Sequence, residues 1–264
     1  MSARLAPFPD AVDAAAVRDF HARYPDAELA PVVVVIAAYN EESGLGPVLA
    51  GMPKECCDLP VDVLVVVDGA TDDTALVAIE SGVYCCEAPR NRGQGAALRL
   101  GYRLAAECGA SYVVTTDADG QYDSDEMESL LRPLLDDRAD FVTGSRRLGR
   151  EHAADRVRWL GVRVFASLAS LLTLRRITDT SFGLRAMRAE LACSVTLTEP
   201  QYQSSELLLG VLARRARVLE VPATMRLRGA GVTKKGRSVV YGRNYARVML
   251  GTWAREYLFA RLGR

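Results

Sequence analysis

Hydrophobic residues fall along this chain in short unbroken runs, each ending abruptly in a polar cluster. "PVVVVIAAYNEE" (31–42) and "VDVLVVVDGATDDT" (61–74) are β-branched runs that stop at acids, glycine or threonine. That is the pattern of a strand buried on both faces and closed by a turn. "SYVVTTDADG" (111–120) and "ADFVTGSRR" (139–147) repeat it, and "YCCEAP" (84–89) reads as a shorter strand. Helical stretches lie between them: an Ala-rich segment over 10–24, one around 45–52, "TALVAIES" (74–81), and a glycine turn entering a helix over 91–109. "SDEMESLLRPLLDD" (124–137) adds another, with a Ser cap and an acidic first turn. Regular alternation of strand and helix predicts an α/β fold with a mostly parallel sheet flanked by helices. In such sheets ligands bind beyond the carboxyl ends of the strands. Tyr39, Asn40, Glu41, Asp68, Asp72, Asp117, Asp119, Arg146 and Arg147 all fall there.

After residue 150 the rhythm changes. "VRWLGVRVFASLASLLTLRR" (157–176) predicts an amphipathic helix with a wide apolar face. "ITDTSFGLRAMRAELA" (177–192) reads as polar and then helical, and "SSELLLGVLARRA" (204–216) as a Ser-capped helix with Glu206 in its first turn. A strand over 217–228 and a flexible basic loop, "GAGVTKKG" (229–236), follow. From 238 to 262 Tyr241, Tyr245, Val248, Met249, Trp253 and Tyr257 form one helical stripe with arginines around it. A basic amphipathic helix of this kind either lies in a membrane interface or packs on the protein's own core or a second subunit. No internal repeat or low-complexity linker interrupts the chain, so it reads as one compact unit over 1–264.

Composition adds little, but charge placement adds something. The 264 residues are 49% hydrophobic and 25% charged with zero formal net charge, as in ordinary globular proteins. Nine acids stand between Asp117 and Asp140 against two arginines, while Arg226 to Arg264 holds ten Lys or Arg against Glu256 alone. An acidic centre and a basic end point to a cation site and an anion-binding surface. No nucleic-acid-binding module has its signature here. The six cysteines show no metal-ligand spacing and read as reduced packing residues of a cytoplasmic protein. Residues 1–25 mix acids, His and Arg, unlike a signal peptide. The longest apolar stretch, 164–174, is about half of a membrane span.

The chemistry concentrates in "VVTTDADGQYD" (113–123), where a strand runs into Asp117 and Asp119 one residue apart. Carboxylates so close raise each other's pKa unless a cation sits between them. The segment is therefore either a metal site or an acidic solvated turn, for which Asp and Gly are ordinary residues.

Seven segments resemble, in order, those of family 2 glycosyltransferases, which use the GT-A fold: "VVIAAYNEE", "VVVDGATDDT", "NRGQGAAL", "TTDADGQ", "GSR", "ITDTSFGLRAMR" and "GAGVTK". They cover roughly 32–235, and the nearest resemblance is to dolichol- or polyprenyl-phosphate mannose synthases. The resemblance implies an inverting, metal-dependent transfer of a sugar, mannose first, from a nucleotide-diphosphate sugar to a polyprenyl phosphate. It implies Mg²⁺ or Mn²⁺ held by Asp117, Asp119 and Gln121, and hard oxygen donors suit those ions. Ala37, Tyr39, Glu41 and Asp68 match donor-binding positions, although helix capping after each strand would also explain such residues. The family commonly has Pro where Ala37 or Ala38 stands, and a second Asp where Val67 stands.

Arg163 matches a basic residue that binds the acceptor phosphate, and Arg228 one that braces the donor phosphates. Lys234 joins the donor set, and Arg146 matches the arginine of "GSR"; Arg158 and Arg226 are the nearby substitutes. Glu206 matches a carboxylate that, like Asp179, would serve as general base if the acceptor were an alcohol. An ionised phosphate acceptor needs no base. His21 and His152 read as bystanders. On this reading 1–30 is an N-terminal helix, 31–145 the nucleotide-sugar half, 146–236 the acceptor half, and 237–264 the C-terminal amphipathic helix with peripheral membrane contact. Two rivals stay open: the same donor chemistry on a soluble hydroxyl acceptor, and a non-catalytic nucleotide-binding module.

Overall fold

The computed structural model describes residues 10–152, 156–227 and 238–259. Its frame is one sheet in which β3 (Leu59–Asp68), β1 (Val32–Ala38) and β5 (Tyr112–Asp117) run side by side and parallel. The short β4 (Tyr84–Ala88) extends the sheet in parallel beyond β3, and the two-residue β2 (Glu55–Cys56) turns back on the start of β3. On the other side β7 (Arg185–Arg188) pairs antiparallel with both β5 and β6 (Phe141–Glu151), and β8 (Val218–Met225) runs parallel to β6. The sheet is mostly parallel, as the alternation predicts. The strand β7 was hidden from pattern reading: its four residues lie inside a segment that reads as polar and then helical.

Helices cover both faces, which is why the strands are apolar without alternation. Val33 and Val35 of β1 enter one core, while Val32, Val34 and Ile36 enter the other. The first core takes α1 (Ala11–Arg23), α4 (Gln94–Glu107), α7 (Ala189–Ser194) and α8 (Gln203–Ala213). The second takes α2 (Glu42–Ala50), α3 (Thr74–Glu80) and α5 (Met127–Leu135). Asp10 caps α1 by accepting from the Val12 N–H at 2.8 Å, satisfying one of the free amides of a helix start. The expected Ser cap of α8 is absent: Tyr202 precedes the helix in the left-handed region, with φ at 65°.

α6 (Arg156–Thr173) and α9 (Ser238–Trp253) pack against each other, with Phe165 and Tyr245 rings 4.5 Å apart. Tyr245, Val248 and Met249 are buried, and Trp253 donates its indole N–H to the Leu172 carbonyl at 2.8 Å. The apolar stripe of α9 thus faces the protein's own interior. A π-helical turn (Ala254–Phe259) continues it.

The turn before α4 is glycine-rich because another backbone passes against it. A Cβ at Gly95 would stand 2.1 Å from the Glu199 carbonyl oxygen, and one at Gly93, where φ is +92°, 2.4 Å from that of Pro200. Gly95→Ala forces these segments apart. We expect it to lower stability by about 1–3 kcal/mol, readable as a drop in melting temperature; a melting temperature equal to wild type would contradict the contact.

Candidate active site

The carboxyl ends of β1, β3 and β5 open into a cavity of about 400 Å³. One wall comes from Ala37 and Ala38 at the end of β1, Tyr39 and Glu41 just after it, and Asp68 at the end of β3. The floor is Asp117, Ala118, Asp119 and Gln121, and the far wall is Pro200, Gln201, Tyr202 and Tyr241. Of the residues expected from the sequence, Ala37, Tyr39, Glu41, Asp68, Asp117, Asp119 and Gln121 meet here.

Asp68 is set for a ligand. Its Oδ2 accepts from the Arg92 N–H at 2.9 Å and the Gly93 N–H at 2.6 Å, while its buried Oδ1 has no hydrogen-bond partner among the described residues. Burial holds the carboxyl above the usual carboxylate range against the pull of those two donors. An orphaned buried acceptor costs free energy until a donor arrives, and ribose hydroxyls are donors of the right kind. The loop that grips Asp68 is itself anchored, since Arg92 pairs with Asp10 and Asp13 of the N-terminal region, each at 2.6 Å.

The acidic floor is held by a tight turn with Gly120 at φ +71°. Asp119 is 6% exposed and its Oδ1 accepts from the Gln121 N–H at 3.1 Å. Gln94 donates its amide to Asp117 Oδ1 at 2.9 Å. Gln121 bonds the Arg226 carbonyl through its own amide, and the Arg226 N–H returns to the Gln121 carbonyl at 2.8 Å. These bonds bring the chain after β8 beside the floor. Among the described residues no three His, Cys, Asp or Glu side chains form a ready-made metal cluster. Two carboxylates and an amide oxygen nonetheless fit Mg²⁺ or Mn²⁺, which commonly take one or two protein carboxylates and complete their shell with phosphate and water.

The other expected residues lie elsewhere. Arg146 is buried, its Nε 2.6 Å from Asp179 and its guanidinium over the Phe182 ring at 5.7 Å. Asp179 also accepts from the Ser181 N–H. This pair pins the segment behind the floor, where Gly183 donates to the Tyr122 hydroxyl at 2.9 Å. Glu206 is wholly buried: Oε1 accepts from the Thr198 N–H, the Thr198 hydroxyl and Arg255, and Oε2 from the Glu199 N–H, all within 3.1 Å. It clamps the loop that forms the far wall. Arg163 is exposed on α6, its guanidinium 4.5 Å from the Trp159 ring centre. Arg158 reaches Glu151 at 3.7 Å, and Arg226 pairs with Asp123. Arg228 and Lys234 lie outside the described residues. Sequence reading missed Gln94, Gln201, Tyr202 and Tyr241. Only Gln94 carried a signal, as the side chain between the two glycines of "NRGQG".

The fold and rim agree with comparison to known proteins. The profile described as Glycosyl transferase family 2 matches residues 33–193. The chain belongs to that glycosyltransferase family and has its GT-A fold. It is 36% identical over 77% of its length to a dolichyl-phosphate hexose transferase of Haloferax volcanii, covering 86% of that protein. It is 30% identical over 79% of its length to an undecaprenyl-phosphate mannosyltransferase of Micrococcus luteus, covering 89% of that protein. Among solved structures it resembles glucosyl-3-phosphoglycerate synthase of Mycobacterium tuberculosis, in complex with Mn²⁺ and uridine-diphosphate-glucose. The TM-score is 0.68 at 22% identity, over 90% of this chain and 83% of that one, a likeness of fold.

Glu206→Gln replaces an acceptor oxygen with an N–H group facing other donors. We expect a loss of about 2–4 kcal/mol in stability, the range for breaking buried charged hydrogen bonds. Turnover of the folded enzyme should stay within about tenfold of wild type, below the 10²–10⁴-fold loss of a missing general base. Calorimetry and steady-state kinetics together separate the two roles; unchanged stability with collapsed turnover would reinstate the base.

Proposed function

We propose that this enzyme transfers a hexosyl group, mannose first, from a nucleotide-diphosphate sugar to a polyprenyl phosphate with inversion at the anomeric carbon. Support for the acceptor comes from the relatives named above as dolichyl- and undecaprenyl-phosphate transferases. The cavity supplies the observation that carries the chemistry. Its described carboxylates, Glu41, Asp68, Asp117 and Asp119, all belong to the strand rim, and Pro200, Gln201, Tyr202 and Tyr241 on the far wall include none. An alcohol acceptor needs a base on that side, whereas a phosphate arrives already ionised.

In this reading Tyr39, Glu41 and Asp68 hold the base and ribose, Asp68 through its free oxygen. Asp117, Asp119 and Gln121 would hold a divalent cation, which would supply positive charge against the negative charge of the departing diphosphate. An acceptor phosphate oxygen attacks the anomeric carbon as the bond to the diphosphate oxygen breaks. The products are a glycosyl phosphodiester and a nucleoside diphosphate, with no proton to remove. Arg163 is assigned to the acceptor phosphate, and Arg228 with Lys234 to the donor phosphates, because guanidinium groups grip phosphate while staying charged and the lysine ammonium adds a point charge beside them. Arg146 acts as a positioning residue through Asp179, bracing the segment behind the floor.

Two variants test this reading. Asp119→Ala should lower transfer about a thousandfold, the scale of several kcal/mol of cation-assisted leaving-group stabilisation, and remove the Mn²⁺-dependent part of the donor thermal shift. Arg163→Ala should raise the KM for a short polyprenyl phosphate about tenfold, the worth of one charged hydrogen bond, with donor KM unchanged. Full activity in excess EDTA, or an Arg163→Ala enzyme whose acceptor KM is unaltered, would contradict the respective assignment.

A further inference from the structure

An unpaired positive charge lies in the middle of the sheet. Arg185 of β7 stands between Thr115 of β5 and Thr143 of β6 and is only 3% exposed. Its Nε has no hydrogen-bond partner, and among the described residues no carboxylate pairs with its guanidinium. Asp179, whose charge reaches it, is already taken by Arg146 at 2.6 Å. Burial holds the Arg185 pKa below the usual arginine range, yet a guanidinium stays charged at any working pH. A buried charge without a counter-ion is among the most destabilising things a core can hold. Packing gives no reason for it, because an unbranched apolar side chain would fill the same space.

The register of the sheet shows where this charge is felt. Residues paired across antiparallel strands share a face, so Arg185 lies on the face of Thr115. Asp117, two residues further along β5, lies on that face too. Val113 and Met187, paired on the rung behind, belong to the first core. Arg185 thus sits one rung behind Asp117, a diagonal spacing of roughly 7–8 Å. The phenol of Tyr102, in the same core, registers both groups. Burial chiefly pushes its pKa up, while Arg185 draws it down and Asp117 adds to the rise. On the cavity side Glu41, Asp68, Asp117 and Asp119 are exposed to the ligand space, and the described lining includes no Lys or Arg. Such a floor attracts a bare divalent cation and repels a diphosphate. A positive charge behind it opposes the first and favours the second, with a reach that water does not screen in the interior.

We infer that Arg185 is a positioning residue of the active site, whose buried charge acts through Asp117 to offset the carboxylates of the floor, admitting an anionic donor and holding back a bare cation. This deepens the proposed reaction and rests on it for the diphosphate donor and the divalent cation. The arginine is kept at the expense of stability because its field is used next door.

The test compares the full chain with two neutral replacements, Arg185→Met and Arg185→Gln. Three quantities are read: the melting temperature without ligand, the Kd for Mn²⁺ alone, and the Kd for GDP-mannose at saturating Mn²⁺. Arg185→Met should melt at or above wild type, since an apolar residue of similar length removes an unpaired buried charge. Both variants should bind Mn²⁺ about tenfold more tightly and GDP-mannose about tenfold more weakly, the scale of one unit charge at this spacing in a partly screened interior. Opposite changes in the two affinities are the mark of charge, because a damaged site loses both. Misfolding or a lower melting temperature in Arg185→Met, unchanged affinities, or a parallel loss of both would overturn the inference. So would a crossed change in only one variant, which would assign the effect to shape. Transfer to a short polyprenyl phosphate is measured alongside. Crossed affinities without transfer keep the charge role and remove the reaction, and wild-type transfer with uncrossed affinities does the reverse.

Discussion

The cavity exists because two stretches of backbone meet with nothing between them. Gly93 and Gly95 at the start of α4 lie against the carbonyls of Pro200 and Glu199 at distances that a single methyl group would close. The first stretch is fixed from below by Asp68, which takes two of its N–H groups, and from the side by Arg92 in its pairs with Asp10 and Asp13. The second is fixed by Glu206, which takes the N–H groups of Thr198 and Glu199. Four carboxylates thus act with backbone amides and arginine to hold one contact, and the cavity is the gap beside it. Carboxylates that look catalytic in a sequence can have this plainer work, because a buried N–H must find an acceptor somewhere.

The strand framework was legible in the sequence because its signals are local and redundant. β1, β3 and β5 are each an apolar run long enough to tell from a helix, and each ends in residues that cannot continue it. Asp68, Asp117 and Asp119 could be placed at one rim for that reason alone, since parallel strands end on the same side. β7 was not legible. It has four residues, sits in the centre of the sheet beside β5 and β6, and includes Arg185, which is buried there. A charged side chain in a central strand contradicts any pattern rule and is tolerated only by its tertiary surroundings.

The helices divide the same way. Periodicity shows that a helix has an apolar face, but not what covers it. The aromatic stripe of α9 reads as a membrane-seeking surface, yet Tyr245 donates its hydroxyl to Thr180 inside the protein. In α6 the wide apolar face was read correctly as wide; its inner part meets the core and its outer part meets solvent. Glu206 and Asp179 show the matching limit for polar residues, as burial assigns them to neighbours that lie close only after folding. Tyr202, just before α8, and Tyr241 of α9 stand 39 positions apart in the sequence, and no spacing rule connects them to the rim.

We propose that this fold delivers a sugar to an ionised phosphate. The most direct measurement is product analysis by mass spectrometry and phosphorus NMR after incubation with GDP-mannose, Mn²⁺ and a short polyprenyl phosphate. We expect a new species heavier than the acceptor by one hexosyl unit, with its phosphorus resonance moved from phosphomonoester to phosphodiester, and an equal yield of GDP. Sugar transferred to a hydroxyl compound while the polyprenyl phosphate stays a monoester would contradict it.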